Sequence, residues 1–376
     1  MIHLMAILFG ALLWWETAVV QATVYWASPA GSSTAICSDI DSSGTANAPG
    51  TDPGSYGTIG RAAQCATVAG DVVNIKSGTY SSSPHRIDTA VSGGTVTASG
   101  LASGTSESVR TYIQGDPNGA RPLIQGFRFY CTFKGASRNY ITIRYLIVNE
   151  NNGGGTCAGT LGIEGHHVTV TDVELSNALN NNISVGTSCV SSSCTHLEAQ
   201  YFVLTNSLLH HAGGDGTGYG VYTTSNNATI ERNTFYNFKG YAIHAYSDFG
   251  PVSGSIIRYN YIHDALRARE IAAFFGCNAV VVTGSASVIA RNIVDLSTCE
   301  ADSDPSSAGV IVGFQSSASA AITHNIIYKS RGYGIRIGAT PTGAQTIYNN
   351  VLFGNIRDAI SISPSFSGLA LYTNNA

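Results

Sequence analysis

Thr229-Ile230-Glu231-Arg232-Asn233 is one copy of a pattern that recurs through most of the chain. Further copies read Val203-Leu204-Thr205-Asn206, Ile257-Arg258-Tyr259-Asn260, Ile289-Ala290-Arg291-Asn292, Ile322-Thr323-His324-Asn325 and Ile347-Tyr348-Asn349-Asn350. Two earlier copies, Ile143 to Leu146 and Val170 to Val173, carry an apolar residue where Asn stands later. The intervals from Leu146 through Val173 to Asn350 are 27, 33, 27, 27, 32, 33 and 25 residues. Self-similarity at such a period marks a solenoid, in which each short unit buries its apolar face only by stacking on its neighbours. An Asn at the same bend of every coil satisfies bend groups that no sheet reaches, because its amide both donates and accepts.

Between successive copies lies a second strand in which a small residue precedes a β-branched one: Gly220-Val221, Ala242-Ile243, Gly309-Val310, Gly334-Ile335 and Ala359-Ile360. The intervening coil offers Glu270-Ile271, with a carboxylate in place of the small residue. Aligned on the β-branched residue, the next position faces outward. That column reads Glu164, Ser184, Tyr222, His244, Ala272, Ile311, Arg336 and Ser361, and the one two residues on includes Tyr246 and Phe274.

The composition agrees with stacked sheet and turn. Of 376 residues only 11% are Asp, Glu, Lys or Arg, while Gly supplies 42 positions and the formal net charge is -4. With 44% hydrophobic residues the chain is too apolar for disorder, and it is too poor in charge for a coiled coil. The 19 basic residues against 23 acidic ones argue against a nucleic-acid surface.

Residues 1–22 carry an apolar run from Leu4 to Trp15 and end in Val20-Gln21-Ala22, the pattern of a secretory signal peptide cleaved near Ala22. Glu16 interrupts the run short of the ~20 residues of a membrane span. The expected location is therefore secreted or cell-surface, without a membrane span. Eight cysteines in an exported chain favour disulfides over metal, with buried thiols as the alternative. Cys37 with Cys65, Cys131 with Cys157, Cys189 with Cys194 and Cys277 with Cys299 form one compatible set, though sequence does not fix connectivity. The last copy, Leu371-Tyr372-Thr373-Asn374, is followed by no segment that reads as a C-terminal cap.

The repeat, together with Val24-Tyr25-Trp26-Ala27-Ser28-Pro29, Thr58-Ile59-Gly60-Arg61-Ala62-Ala63 and Gly70-Asp71-Val72-Val73-Asn74-Ile75-Lys76-Ser77-Gly78-Thr79-Tyr80, resembles the right-handed parallel β-helix proteins of the pectate-lyase-like superfamily. The resemblance spans residues 23–376. It implies an all-β fold, a single-stranded right-handed parallel β-helix with a short N-terminal cap helix. It does not select an activity, since this fold serves lyases, hydrolases, epimerases, tailspikes and adhesins.

Within that frame the expected site is the patch around His244. His244, Tyr222, Glu270 and Arg269 are the candidate catalytic residues: a base and acid for proton transfer, a carboxylate partner for the histidine, and a cation to neutralise a uronate. Tyr246, Phe274 and Arg336 are the candidate substrate contacts. The competing reading of outward aromatics is that they only stabilise a solvated sheet through cross-strand pairs. Hydrolysis needs two facing carboxylates, which the columns lack, and Gly165-His166-His167 departs from the Gly-His-Gly of polygalacturonase-like hydrolases. Tyr241-Ala242-Ile243-His244-Ala245-Tyr246 lacks the Asp and Pro-His of the Tyr-Gly-Phe-Asp-Pro-His strand of mannuronan epimerases. No cofactor is expected, and no acidic cluster supports calcium. His166-His167 and His210-His211 are adjacent pairs whose side chains should diverge on a strand, which argues against zinc. The sequence thus points to a polysaccharide or cell-surface glycan as partner. The leading activity is a polysaccharide lyase acting by β-elimination on an acidic polysaccharide; the alternative is a non-catalytic glycan-binding or adhesin-like module.

Overall fold

The computed structural model describes residues 22–32, 59–80, 91–92, 95–96, 101–125, 139–149, 159–163, 165–186, 199–213, 218–246, 252–264, 278–298, 307–313, 318–338 and 341–376. They form coils stacked in parallel, and those between Ile141 and Ile362 each contribute three stretches of strand. Two of these belong to a 20-stranded sheet bent into two arms, and the third to an 8-stranded sheet. In the early coils the two arms are one continuous strand, Ile141–Asn149 or Thr169–Ala178; later the strand breaks at the bend, as in Val203–Thr205 followed by Leu208–Ala212. The seven-residue helix Ile59–Cys65 buries Ile59, Ala62 and Ala63 against the first coil, the place expected for the cap helix.

The core is three vertical stacks, each running one residue per coil. Val170, Leu204, Ile230, Ile257, Ile289, Ile322 and Ile347 line the first arm, in register and at most 1% exposed. Leu175, Leu209, Phe235, Ile262, Val294, Ile327 and Leu352 line the second. Ile183, Val221, Ile243, Val280, Val310 and Ile335 line the eight-stranded sheet. Each such side chain contributes roughly 1.5–3 kcal/mol on burial. The small residue before the third stack is required by the core. A Cβ on Gly220 would lie 2.5 Å from the Ala242 carbonyl oxygen and 2.9 Å from Phe235, and one on Gly309 would lie 2.3 Å from Ile327.

The bend between the arms is a left-handed residue followed by a ladder residue. Tyr145, Asp172, Asn206, Arg232, Tyr259, Arg291, His324, Asn349 and Asn374 all have φ between 51° and 59°. The next position holds Asn233, Asn260, Asn292, Asn325, Asn350 and Asn375, buried in the early coils and partly so at the end. From Asn260 on, each Oδ1 accepts the backbone N–H and the Nδ2 of the preceding Asn, as Asn292 Oδ1 does from Asn260 at 3.0 Å for both. Each Nδ2 also donates to a strand carbonyl, as Asn292 does to Ile257 at 3.0 Å.

Two expectations are corrected by this register. Asn206 is not in the ladder: Thr205 pairs with Glu231, so Asn206 takes the left-handed position and Ser207 the ladder position, 26 residues before Asn233. Asn374 likewise yields to Asn375. The second correction concerns the coil expected to contribute Glu270-Ile271-Ala272. Its strand in the eight-stranded sheet is Val280–Val282, with Ile243 opposite Val280 and His244 opposite Val281. Ala279 therefore holds the small-residue position and no carboxylate interrupts that column. Val280, Val281 and Val282 are all 0% exposed, and an unbroken β-branched run suits a strand covered on both faces. At the first coil, Gly162 rather than Glu164 stands opposite Ser184.

Candidate functional site

The motif Tyr-small-β-branched-aromatic occurs in two consecutive coils, Tyr219-Gly220-Val221-Tyr222 and Tyr241-Ala242-Ile243-His244. Parallel register places Tyr222 beside His244. The Gly220 N–H donates to the Tyr241 carbonyl at 3.0 Å, which sets Tyr219 over Tyr241. Their ring centroids are 5.3 Å apart. His244 is consequently enclosed by four tyrosines, with ring centroids at 5.0 Å to Tyr219, 5.2 Å to Tyr222, 5.0 Å to Tyr241 and 4.6 Å to Tyr246. Val281, Ala308 and Ile311 extend the same outer face as an apolar patch.

Burial changes what His244 can do. It is 7% exposed, and its Nδ1 has no hydrogen-bond partner among the described residues. Desolvation penalises the imidazolium and pulls the pKa down to about 3, so the ring is neutral at physiological pH. The sequence reading of His244 as a surface group titrating near neutrality is overturned by this enclosure. The groups that reach the surface are Tyr222 and Tyr246, both half-buried. One coil below, Ser184 stands opposite Tyr222; Asn181 donates to the Ser184 hydroxyl at 3.0 Å and accepts the Tyr219 N–H at 2.9 Å. Tyr219, Tyr241, Asn181 and Ser184 were not among the sequence candidates, although the repeated Tyr-small-β-branched-aromatic motif signals the first two.

The other candidates divide. Tyr222, His244 and Tyr246 are brought together. Arg336 shares the outward column but stands three strands from His244, beyond Val281 and Ile311, about 14 Å at the usual strand spacing. Glu270, Arg269 and Phe274 lie outside the described residues, as do all cysteines except Cys65. Cys65 is buried at the end of the helix.

The adjacent histidines do not diverge. Nδ1 of His210 lies 2.6 Å from Nδ1 of His211, and the pair His166 and His167 shows 2.8 Å. The second histidine of each pair has positive φ, 53° at His211 and 56° at His167, which breaks strand alternation and swings the rings together. In the second arm His210, Tyr236 and His263 stack in successive coils at 4.6 and 5.3 Å, with Glu174 3.4 Å from His210. Desolvation, aided by His211, lowers the His210 pKa against the opposing pull of Glu174.

Solved structures similar to the chain share this architecture. The A-module of the mannuronan C-5 epimerase AlgE4 from Azotobacter vinelandii matches at 14% identity over 84% of this chain and 90% of its own, with a TM-score of 0.50. By fold, the chain is a right-handed parallel β-helix. The GH136 lacto-N-biosidase from Eubacterium ramulus matches at 11% identity over 96% of this chain and 68% of its own, TM-score 0.49. An alginate lyase from Paenibacillus sp. str. FPU-7 matches at 13% identity over 84% and 96%, TM-score 0.44. No protein-family model and no curated protein matches the chain. No helix among the described residues is long and apolar enough to cross a membrane.

Proposed function

We propose that this carbohydrate-active β-helix is a secreted or cell-surface polysaccharide lyase that cleaves an acidic polysaccharide by β-elimination at the tyrosine cluster around His244. The supporting observation is a neutral, enclosed imidazole packed against two phenols that reach the surface. In the elimination a base removes the proton on the carbon beside the uronate carboxylate, the C–O bond to the departing sugar breaks, a C=C bond forms, and the leaving oxygen takes up a proton. Tyr222 is the proton-transfer residue of this reading, and Tyr246 packs against the sugar ring. His244 is a positioning residue: its neutral ring orients the phenols. Arg269 and Arg336 are the proposed cations for substrate carboxylates, Glu270 and Phe274 the proposed flanking contacts. Passage through an oxidising compartment with paired cysteines belongs to the same proposal.

The test is incubation with a panel of uronate polymers, following the ultraviolet absorbance of the unsaturated product. Wild type generates absorbance on at least one polymer; Tyr222→Phe lowers kcat by about two orders of magnitude, the usual scale of a proton-transfer group, with little change in KM. His244→Phe lowers kcat less. New reducing ends without absorbance identify a hydrolase and overturn the reading. Polymers bound but left intact identify the non-catalytic module.

A further inference from the structure

A second feature lies at the bend between the two arms of the long sheet, away from the eight-stranded sheet that carries His244. Three arginines on three successive coils surround one tyrosine. Arg232 and Arg291, at the left-handed positions one coil to either side, place their guanidinium carbons 5.7 and 5.5 Å from the Tyr259 ring centre, and Arg258 lies 5.8 Å away. Arg291 donates to the Tyr259 hydroxyl at 2.6 Å. Glu231 is the only carboxylate paired with them among the described residues, accepting from Arg258 at 2.6 Å and from Arg232 at 3.0 Å. Three positive charges against one negative leave two uncompensated, on a chain whose formal net charge is -4.

This arrangement is held open toward solvent. The Arg232 and Arg258 side chains are 59% and 44% exposed, whereas the Glu231 side chain is 13% exposed. Each arginine uses one nitrogen in the hydrogen bonds just given, and a guanidinium carries five N–H donors in a fixed fork. The left-handed backbone at Arg232, Tyr259 and Arg291 projects these side chains from a convex ridge rather than into a sheet. Stacking on Tyr259 holds the forks in place, so less side-chain entropy is lost when they engage a planar anion.

We infer that this ridge is a binding site for a linear carboxylated glycan lying along the helix axis, separate from the tyrosine cluster. Coils repeat about every 4.8 Å, close to the length of one pyranose residue, so successive guanidinium groups meet successive sugars. Carboxylates match the arginine fork bidentately. Nucleic acid fits less well: the guanidinium groups of Arg232, Arg258 and Arg291 all crowd the Tyr259 ring on which a base would stack, and two net charges give weak retention of a phosphate backbone at physiological salt. The inference shares its ligand class with the proposed activity but not its site, so a protein that binds here without cleaving anything leaves it standing.

Fluorescently labelled polygalacturonate oligomers, titrated by anisotropy at low and high salt, provide the test. Wild type binds at low salt and releases at high salt. The Arg258→Gln/Arg291→Gln double variant binds about tenfold more weakly, and Glu231→Gln, which removes the opposing charge, binds about threefold more tightly, on the scale of single charge-assisted contacts. Arg232→Gln gives a loss of about threefold and carries the test if circular dichroism shows the double variant unfolded. Unchanged affinity in the arginine variants, weaker binding in Glu231→Gln, or duplex DNA of equal charge binding more tightly than the oligomer each overturns the inference.

Discussion

Replacing Asn292 by Ala removes one rung from the middle of the buried ladder. Its Nδ2 donates to the Ile257 carbonyl and to Asn325 Oδ1, and its Oδ1 accepts the Asn260 N–H and Asn260 Nδ2, all at 3.0 Å. After truncation Asn260 Nδ2 keeps its bond to Ile230, but the Ile257 carbonyl and the Asn260 N–H lose these partners in a place water does not reach. Each stranded main-chain group costs about 1–3 kcal/mol, so the variant loses about 2–6 kcal/mol. That is a large fraction of a domain's net stability. The comparison is Asn349→Ala, at an exposed left-handed position whose side chain, among the described residues, hydrogen-bonds His324 at 3.2 Å; its cost is about 1 kcal/mol. Equilibrium urea unfolding of both variants, with hydrogen exchange on the flanking coils, reads the difference. If Asn292→Ala lies within about 1 kcal/mol of Asn349→Ala, the ladder is not a structural element and the argument fails. The same rung begins earlier without Asn: the Val173 N–H bonds the Ser207 hydroxyl of the next coil at 3.3 Å, as each ladder N–H does to the next Asn.

His244 ties stability to pH. Its folded pKa of about 3 lies below the ordinary 6.5, so between those values the unfolded chain binds the extra proton and stability falls as pH is lowered through that window, by on the order of 5 kcal/mol in full. His244→Phe lacks this contribution, and urea midpoints at pH 4 and pH 7 should differ less in the variant than in wild type. Arg110, 8% exposed, donates to Thr142 Oγ1 and to the Ile141 carbonyl at 2.8 Å and to Thr169 at 3.0 Å; Arg110→Met strands these acceptors and costs about 3 kcal/mol by denaturant unfolding. A Cβ on Gly332 would lie 2.0 Å from the Ser307 carbonyl oxygen, so Gly332→Ala forces neighbouring coils apart and costs at least ~1–3 kcal/mol, visible as a lower Tm.

Much of the scaffold is legible in the chain. Apolar stacks such as Ile230, Ile257, Ile289, Ile322 and Ile347 follow from the repeat, because a coil with one inward residue per strand leaves no other way to bury them. The site was read less well. Glu270-Ile271 and Ala279-Val280 both present a β-branched residue in the same insertion-lengthened coil, and only pairing with Ile243 and Val310 on either side selects the second. Asn206 and Ser207 differ by one position, and a local pattern centred on Asn cannot register that the adjacent Ser serves as the rung there.

The sequence by itself determined the solenoid, the three core stacks, the small residue before most of the third stack and the juxtaposition of Tyr222 with His244, since each follows from aligning successive coils on the apolar residues that recur in them. The tertiary structure decided how polar those places are. His244 stands on an outward column, where alternation predicts a solvated group, yet four tyrosines from two coils and the strand tip enclose it and hold it neutral. The arginines around Tyr259 are scattered in the chain at 232, 258 and 291, and only coil stacking gathers them. Periodicity fixes which face a residue occupies; how dry or charged that face becomes depends on neighbours one coil away, twenty-two or more residues distant in sequence.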